Sequence, residues 1–298
     1  MPAGAASGKG RRMMGIALSL LAAAVYGAGD FVGGLAARRV SVLFVVGIGQ
    51  AVGLFGLAAL SWLLPAAQVQ PTDLWWGAAS GLSTAVGITL LYRALATGRM
   101  SVVAPITALC ALAVPVIFSV VVGLSVGLLA AAGIAVAALA VALISREPDR
   151  AEAAQGAMGR AVALAVAAGL GIGVFYVTLG RTDPASGLWP LVAARAMSTA
   201  LFALGALAML PRWRQAAVPS GTLWRWAALS GLFDSAANAL YLLASREGNL
   251  AVVATLTSLY PASTVFLAAV ALGERLRLAQ IFGLALATLA VVMIVADR

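Results

Sequence analysis

The chain has no histidine and a single cysteine, Cys110. That excludes a His- or Cys-ligated metal site, a Ser-His-Asp triad, a haem histidine ligand and any disulfide within the chain. Charge is scarce too. Acidic residues number 10, basic residues 19, and together they make up 10% of the 298 residues. A soluble domain is about 25% charged and about 45–50% apolar. Here the hydrophobic share is 63% and the mean hydropathy +1.04. A water-soluble fold of this composition would need a core larger than one domain can hold, so lipid must be the solvent for most of the chain. The formal charge of +9 does not point to nucleic acid, because the bases sit between apolar runs and form no basic face. There is no Gly-x-x-x-x-Gly-Lys-Ser/Thr phosphate loop, so ATP does not act through this chain. No acids, bases and nucleophiles gather at one depth, so neither an enzyme nor a cofactor site is expected.

What is present is a series of long apolar runs. A spanning helix takes roughly 17–25 apolar residues. With charges, prolines and polar clusters as boundaries, the sequence predicts ten spans: 14–36, 41–64, 74–97, 100–122, 125–145, 159–180, 187–210, 223–245, 250–272 and 277–296. The first run is longer than a signal-peptide core of about 7–15 residues and reads as a retained helix. Trp62, Trp75, Trp76, Trp189, Trp213, Trp224 and Trp226 fall near span ends, as an interfacial belt should. The polar stretch around Arg146–Glu152 reads as a linker, 146–158, between two five-helix units at 14–145 and 159–296. The fold class is therefore all-α and integral to the membrane.

The two units are copies. At an offset of 150, Trp76, Ser80, Gly81 and Leu82 fall on Trp226, Ser230, Gly231 and Leu232, and Val102-Val103-Ala104 falls on Val252-Val253-Ala254. Earlier in the units the offset is shorter: Gly27-x-Gly29-x-Phe31 matches Gly171-x-Gly173-x-Phe175, and Gln50 takes the place of Arg195. Duplicated blocks of helices are a mark of secondary transporters. Five spans per copy reverse the second, so the repeats are expected to be inverted, with both termini on one side. With those termini inside, the inner segments hold six Lys and Arg against twelve outside, a count that favours the opposite orientation. Gly29-x-x-x-Gly33, Gly49-x-x-x-Gly53 and Gly169-x-x-x-Gly173 have the spacing of close helix packing. Packing within the chain is the expectation, a dimer face the alternative; the chain is read as a monomer or homodimer.

A charge at the bilayer centre costs roughly 2.5–3.5 kcal/mol, so each one inside a span needs a reason. Asp234 falls near the middle of its span with Asn238 one turn on, the depth at which transporter substrates bind. Asp30 lies nearer the end of span 1, beside Tyr26 and several glycines. It is a site for substrate or proton, or else a surface partner of Arg38 or Arg39. Arg195 can bind a carboxylate, pair with Asp30 or Asp234, or snorkel to the surface. Glu274 and Arg275 read as structural, at the turn between spans 9 and 10. Pro105, Pro115 and Pro261 lie inside spans 4 and 9. Each frees a carbonyl for water in a pathway or for a hydroxyl such as Thr107 or Thr257.

Several segments carry a family resemblance. They are Gly248-Asn249-Leu250-Ala251-Val252-Val253-Ala254, Tyr260-Pro261, Gly273-Glu274-Arg275-Leu276, the shorter Gly98-x-x-x-Val102-Val103-Ala104-Pro105, Tyr26-Gly27 and Arg195. Over nearly its whole length the chain resembles two EamA-like units of the drug/metabolite transporter superfamily. The resemblance implies ten helices, cytoplasmic termini, and a central cavity lined mainly by helices 1, 3, 4, 6, 8 and 9. It also implies movement of small metabolites, often amino acids or drugs. The copies differ at polar positions, with Gln50 against Arg195, Thr84 against Asp234 and Leu124 against Glu274. The resulting reading is a multi-pass plasma-membrane secondary transporter, an exporter, of small metabolites such as amino acids or drug-like amphiphiles. It would work by alternating access and could couple to protons. The substrate- or proton-binding candidates are Asp30, Asp234, Asn238, Arg195, Tyr26 and Gln50. The alternative is a non-transporting membrane subunit or lipid-handling partner.

Overall fold

A computed structural model describes residues 3–97, 100–123, 127–144, 155–213, 221–272 and 278–296. Most of the expected linker, and Glu274 and Arg275, lie outside them. Among the described residues all regular structure is helical. The helices are α1 (Ala3–Ala37), α2 (Val42–Leu63), α3 (Pro71–Thr97), α4 (Met100–Val121), α5 (Leu128–Ile144), α6 (Gln155–Gly180), α7 (Trp189–Trp213), α8 (Gly221–Glu247), α9 (Leu250–Thr257), α10 (Tyr260–Leu272) and α11 (Leu278–Ala296). A 3₁₀ turn, Pro184–Ser186, precedes α7.

Helix is the form that satisfies every backbone group where no water is available. Hydroxyls follow the same rule by bonding back to their own helix: Ser19 to the Gly15 carbonyl at 2.6 Å and Thr89 to that of Ala85 at 2.6 Å. The outer surface carries bulky side chains such as Phe55, Leu128 and Phe282, whereas alanine is the commonest of the buried hydrophobic residues. Lipid tails are as apolar as leucine. Helices therefore associate through close packing of small residues and not through a hydrophobic drive.

Span 9 departs from expectation. It is two helices, α9 and α10, broken at Ser258-Leu259 just before Tyr260-Pro261. Eight residues make about 12 Å of helix and thirteen about 20 Å, so neither alone crosses a hydrocarbon core of about 30 Å. Pro261 sits in the first turn of α10, where its missing N–H breaks no bond. Asn249 caps α9, its side chain accepting from the Ala251 N–H at 2.9 Å. By contrast α4 runs unbroken through both Pro105 and Pro115.

Packing runs between the halves. Helix α1 packs on α8 and α6 on α3; α2 packs on α8 and α7 on α3; α1 packs on α9 and α10, and α6 on α4. Each pair becomes another when the halves are exchanged. Helix pairs α2·α7 and α5·α11 map onto themselves. The small-residue motifs serve these contacts. A methyl group at Gly29 would meet Phe233 on α8 at 3.2 Å, and one at Gly173 would meet Val114 on α4 at 2.6 Å. Gly49 and Gly231 let α2 and α8 touch backbone to backbone.

Two ends of the bundle are recognisable. At one, Arg12 donates to the Ile294 carbonyl at 2.7 Å and Arg11 pairs with Glu247 at 2.9 Å, so the start of α1 and the end of α11 lie together. At the same end the two inter-helix loops lock. Ser186 donates to Asp73 at 2.6 Å and accepts from the Gln70 N–H at 3.1 Å. Tryptophans ring both ends, with Trp62 against Trp189 and Arg181 over Trp76 at one, and Trp224 against Phe44 and Arg39 over Trp226 at the other.

Candidate functional site

The polar groups of the membrane interior are strung across four helices. Arg195 on α7 is 2% exposed. It donates to the Asp234 carboxylate on α8, and through Nη1 to Gln50 Oε1 on α2 at 2.5 Å. Ser198, three residues further along α7, also donates to Gln50 Oε1, at 2.7 Å. Asn238 Nδ2 donates to Asp234 at 3.4 Å, and the Tyr26 hydroxyl on α1 donates to Asn238 Oδ1. Arg195 therefore neither snorkels nor pairs with Asp30. Its partner is Asp234, the central residue of α8. A buried ion pair gains enough to offset desolvation only when further hydrogen bonds occupy the remaining donors and acceptors. Gln50 and Asn238 supply those bonds at the two ends of the pair.

Asp30 is placed differently. Helix α1 continues to Ala37, so Asp30 lies two turns inside it and pairs with neither Arg38 nor Arg39. The glycine seam between α1 and α8 sets its depth. Gly29 faces the backbone of Asp234, so Asp30 stands level with the middle of α8. A second brace holds the same level. Ser230 donates to the Gly29 carbonyl at 3.1 Å, and the Tyr92 hydroxyl lies 3.2 Å from Ser230 Oγ.

These groups surround a cavity of about 40 Å³ lined by Tyr26, Asp30, Thr84, Ile88, Leu91, Ile172, Phe175, Tyr176, Asp234, Asn238 and Tyr260. One buried water needs roughly 10–15 Å³, so the cavity holds a few waters and is closed to a metabolite in this conformer. Helices α1, α3, α6, α8 and α10 line it; none of the described side chains of α4, which the resemblance implied, is among the lining residues. Asp30, Asp234, Asn238 and Tyr26 meet there, with Gln50 and Arg195 directly behind Asp234. Of the pathway candidates, Pro261 adjoins Tyr260 at the helix break. Thr257 and Ser258, at that break, have buried hydroxyls without a hydrogen-bond partner among the described residues. Pro115 and Thr107 do not line the cavity, the Pro105 side chain lies outside the described residues, and Thr107 instead ties α4 to the Ala165 carbonyl of α6 at 3.2 Å.

Sequence reasoning missed Ser198 and the Asp73–Ser186 brace. Both consist of residues common in any chain, joined only by folding. Tyr176 and Tyr260 were among five tyrosines with no signal to separate them. A larger hollow, about 620 Å³, is an apolar cleft among α2, α3 and α7 with Arg93 at its edge. It carries none of the buried charges and belongs to the lipid-facing surface.

An all-helical fold in two packed halves, with long apolar helices and their interior charges gathered at and behind a central cavity, defines a multi-pass membrane protein of the transporter class. Two stretches, residues 13–146 and 159–296, match the EamA-like transporter family. The chain belongs to that family, whose members are transporters and not enzymes. A solved structure described as "Crystal structure of protein" shares the fold at a TM-score of 0.74 and 16% identity, covering 97% of this chain and 99% of that one. No curated protein matches the chain.

Proposed function

We propose that the protein is a secondary transporter exporting small metabolites such as amino acids or drug-like amphiphiles by alternating access. On this reading α9 and α10 form one broken span, giving ten in all. The units 14–145 and 159–296 are inverted repeats that rock about the central cavity, joined by the linker 146–158. Asp30, Asp234, Asn238, Arg195, Tyr26 and Gln50 form or position the substrate and proton site. Pro261, and by position Pro105, Pro115, Thr107 and Thr257, shape the helices that move. Both termini face the cytoplasm.

The observation that carries this reading is the cavity itself. It sits between the halves at the depth of Asp234, and polar and charged groups line it. A non-transporting subunit would bury these groups in dry, paired contacts. An interface whose two arrangements exchange under the halves' pseudo-symmetry is also the geometry that rocking requires. The test is reconstitution into liposomes with an imposed pH gradient. Gradient-driven flux of a substrate is expected to fall sharply in Asp30→Asn and Asp234→Asn. Undiminished flux in both variants would remove the proton role, and absence of flux for every amine, amino acid and amphiphile tried would remove the transporter reading.

A further inference from the structure

The cavity holds a carboxyl group that no described residue pairs. Arg195 and Asp234 neutralise each other. Asp30 lines the same cavity, is half-buried, and forms no hydrogen bond or ion pair among the described residues. The groups around it are Asp234 on α8 with Arg195 behind it on α7, and the tyrosines 92 on α3, 176 on α6 and 260 on α10; Tyr26 is one turn away on its own helix. Helix α2 brings only the uncharged Gln50. Arg38 and Arg39 are exposed at the membrane surface, Arg39 over Trp226. With Asp30 ionised, the site carries one net negative charge at a depth where an unpaired carboxylate is costly. A proton or another cation must neutralise it.

We propose that Asp30 binds the ammonium group of the transported substrate, so that the substrate class is amines and quaternary ammonium compounds with an apolar or aromatic body. The walls fit that cargo. Tyr26 has its ring centroid 6.5 Å from that of Tyr176 and 6.4 Å from that of Tyr260. A cation lodged beside them comes within about 6 Å of more than one ring centroid, the range of cation–π attraction. Asp234 is unsuited to the role, because Arg195 and Asn238 already hold its carboxylate. A proton is the competing occupant of Asp30. The only bond broken is the carboxyl O–H: when the carboxyl starts protonated, one proton leaves to solvent for each monovalent ammonium that enters. The ligand occupies a conformer opened by rocking, since the present cavity is too small for it. The proposal rests on the transporter reading for its direction of movement, but not for binding.

The test uses the full chain in detergent and phenethylammonium as probe, with 2-phenylethanol as the neutral analogue and 3-phenylpropionate as the anionic one. Phenethylammonium is expected to raise Tm by at least about 2 °C, and the analogues to leave it unchanged. The rise disappears in Asp30→Asn and persists in Asp30→Glu. On acidification the apparent affinity falls by up to about tenfold per pH unit as protons compete, and in weak buffer binding releases protons. No shift in the unsubstituted chain, an equal shift with 2-phenylethanol, or a shift retained in Asp30→Asn overturns the proposal. If Asp30→Asn fails to fold, the analogue comparison and the proton release on the unsubstituted chain decide it. Binding at Asp30 without gradient-driven flux would uphold the site and overturn the transporter reading. Flux of another substrate without ammonium binding would do the reverse.

Discussion

Gln50 in the first half and Arg195 in the second hold equivalent places in the duplicated sequence, and in the fold they touch. Thr84 and Asp234 are a second equivalent pair, and both line one cavity. Equivalent positions converge where the halves meet. An undiverged duplication would therefore have set two arginines, or two aspartates, against each other at the centre of the bundle. Like charges there would be unpaired and desolvated together. The substitution of Gln50 and Thr84 in one copy turns two repulsions into one Arg–Asp pair with a polar neighbour on each side. The same contrast appears in the helices. Helix α4 keeps two prolines and stays continuous, while its counterpart breaks into α9 and α10 before Pro261. The second half thus holds the ion pair and the discontinuity, and the first supplies Gln50, Thr84 and the unpaired Asp30.

Making the halves alike tests this most severely. Arg195→Gln leaves Asp234 without its cation and is expected to cost about 3–5 kcal/mol, read as a drop in Tm of the detergent-solubilised protein. Adding Asp234→Thr, which copies the first half fully, is expected to restore most of that loss. A single-variant cost below about 1 kcal/mol would mean the pair is not the centre of the interface.

Removing the first half's contribution is milder. Gln50→Ala strands one Arg195 donor and leaves the Ser198 hydroxyl only the Arg195 carbonyl at 3.2 Å, a loss of about 1.5–3 kcal/mol for a bond to a charged group. Denaturant titration of both variants gives the ratio. A larger loss in Gln50→Ala than in Arg195→Gln would reverse the assignment of roles.

The glycine seam is next. Gly231→Ala places a methyl group against the Gly49 backbone and is expected to destabilise by about 1–3 kcal/mol. Gly205→Ala, which meets open space, is expected to be neutral or to stabilise by up to about 1 kcal/mol through helix propensity. Equal thermal shifts in the two would refute the close approach of α2 and α8. The smallest effect belongs to Thr84→Val, expected within about 0.5 kcal/mol of the parent, because its cavity partner Asp234 keeps its own ion pair.

Much of the fold was legible in the chain. Apolar runs, their lengths and the repeat gave an all-helical membrane protein in two copies, because hydropathy is a local property that lipid reads directly. The site was legible in part. Asp234, Asn238 and Arg195 stood out as polar residues in apolar runs, and so did Asp30. Their pairing did not stand out. Arg195 had two possible carboxylates, and Asp30 was measured along α1 alone, which placed it near a surface. The break at Ser258-Leu259 was equally obscure, since Pro105, Pro115 and Pro261 look alike in sequence.

By itself, then, the sequence determined the solvent, the element type, the duplication and the identity of the few interior charges. Each of those follows from the cost of placing a given side chain or peptide group in hydrocarbon. Only the tertiary structure decided which charge is neutralised. The seam of Gly29 on α8 and of Gly49 on Gly231 sets how far the helices slide past one another. That sliding puts Arg195 on Asp234 and leaves Asp30 facing the cavity with no partner of its own.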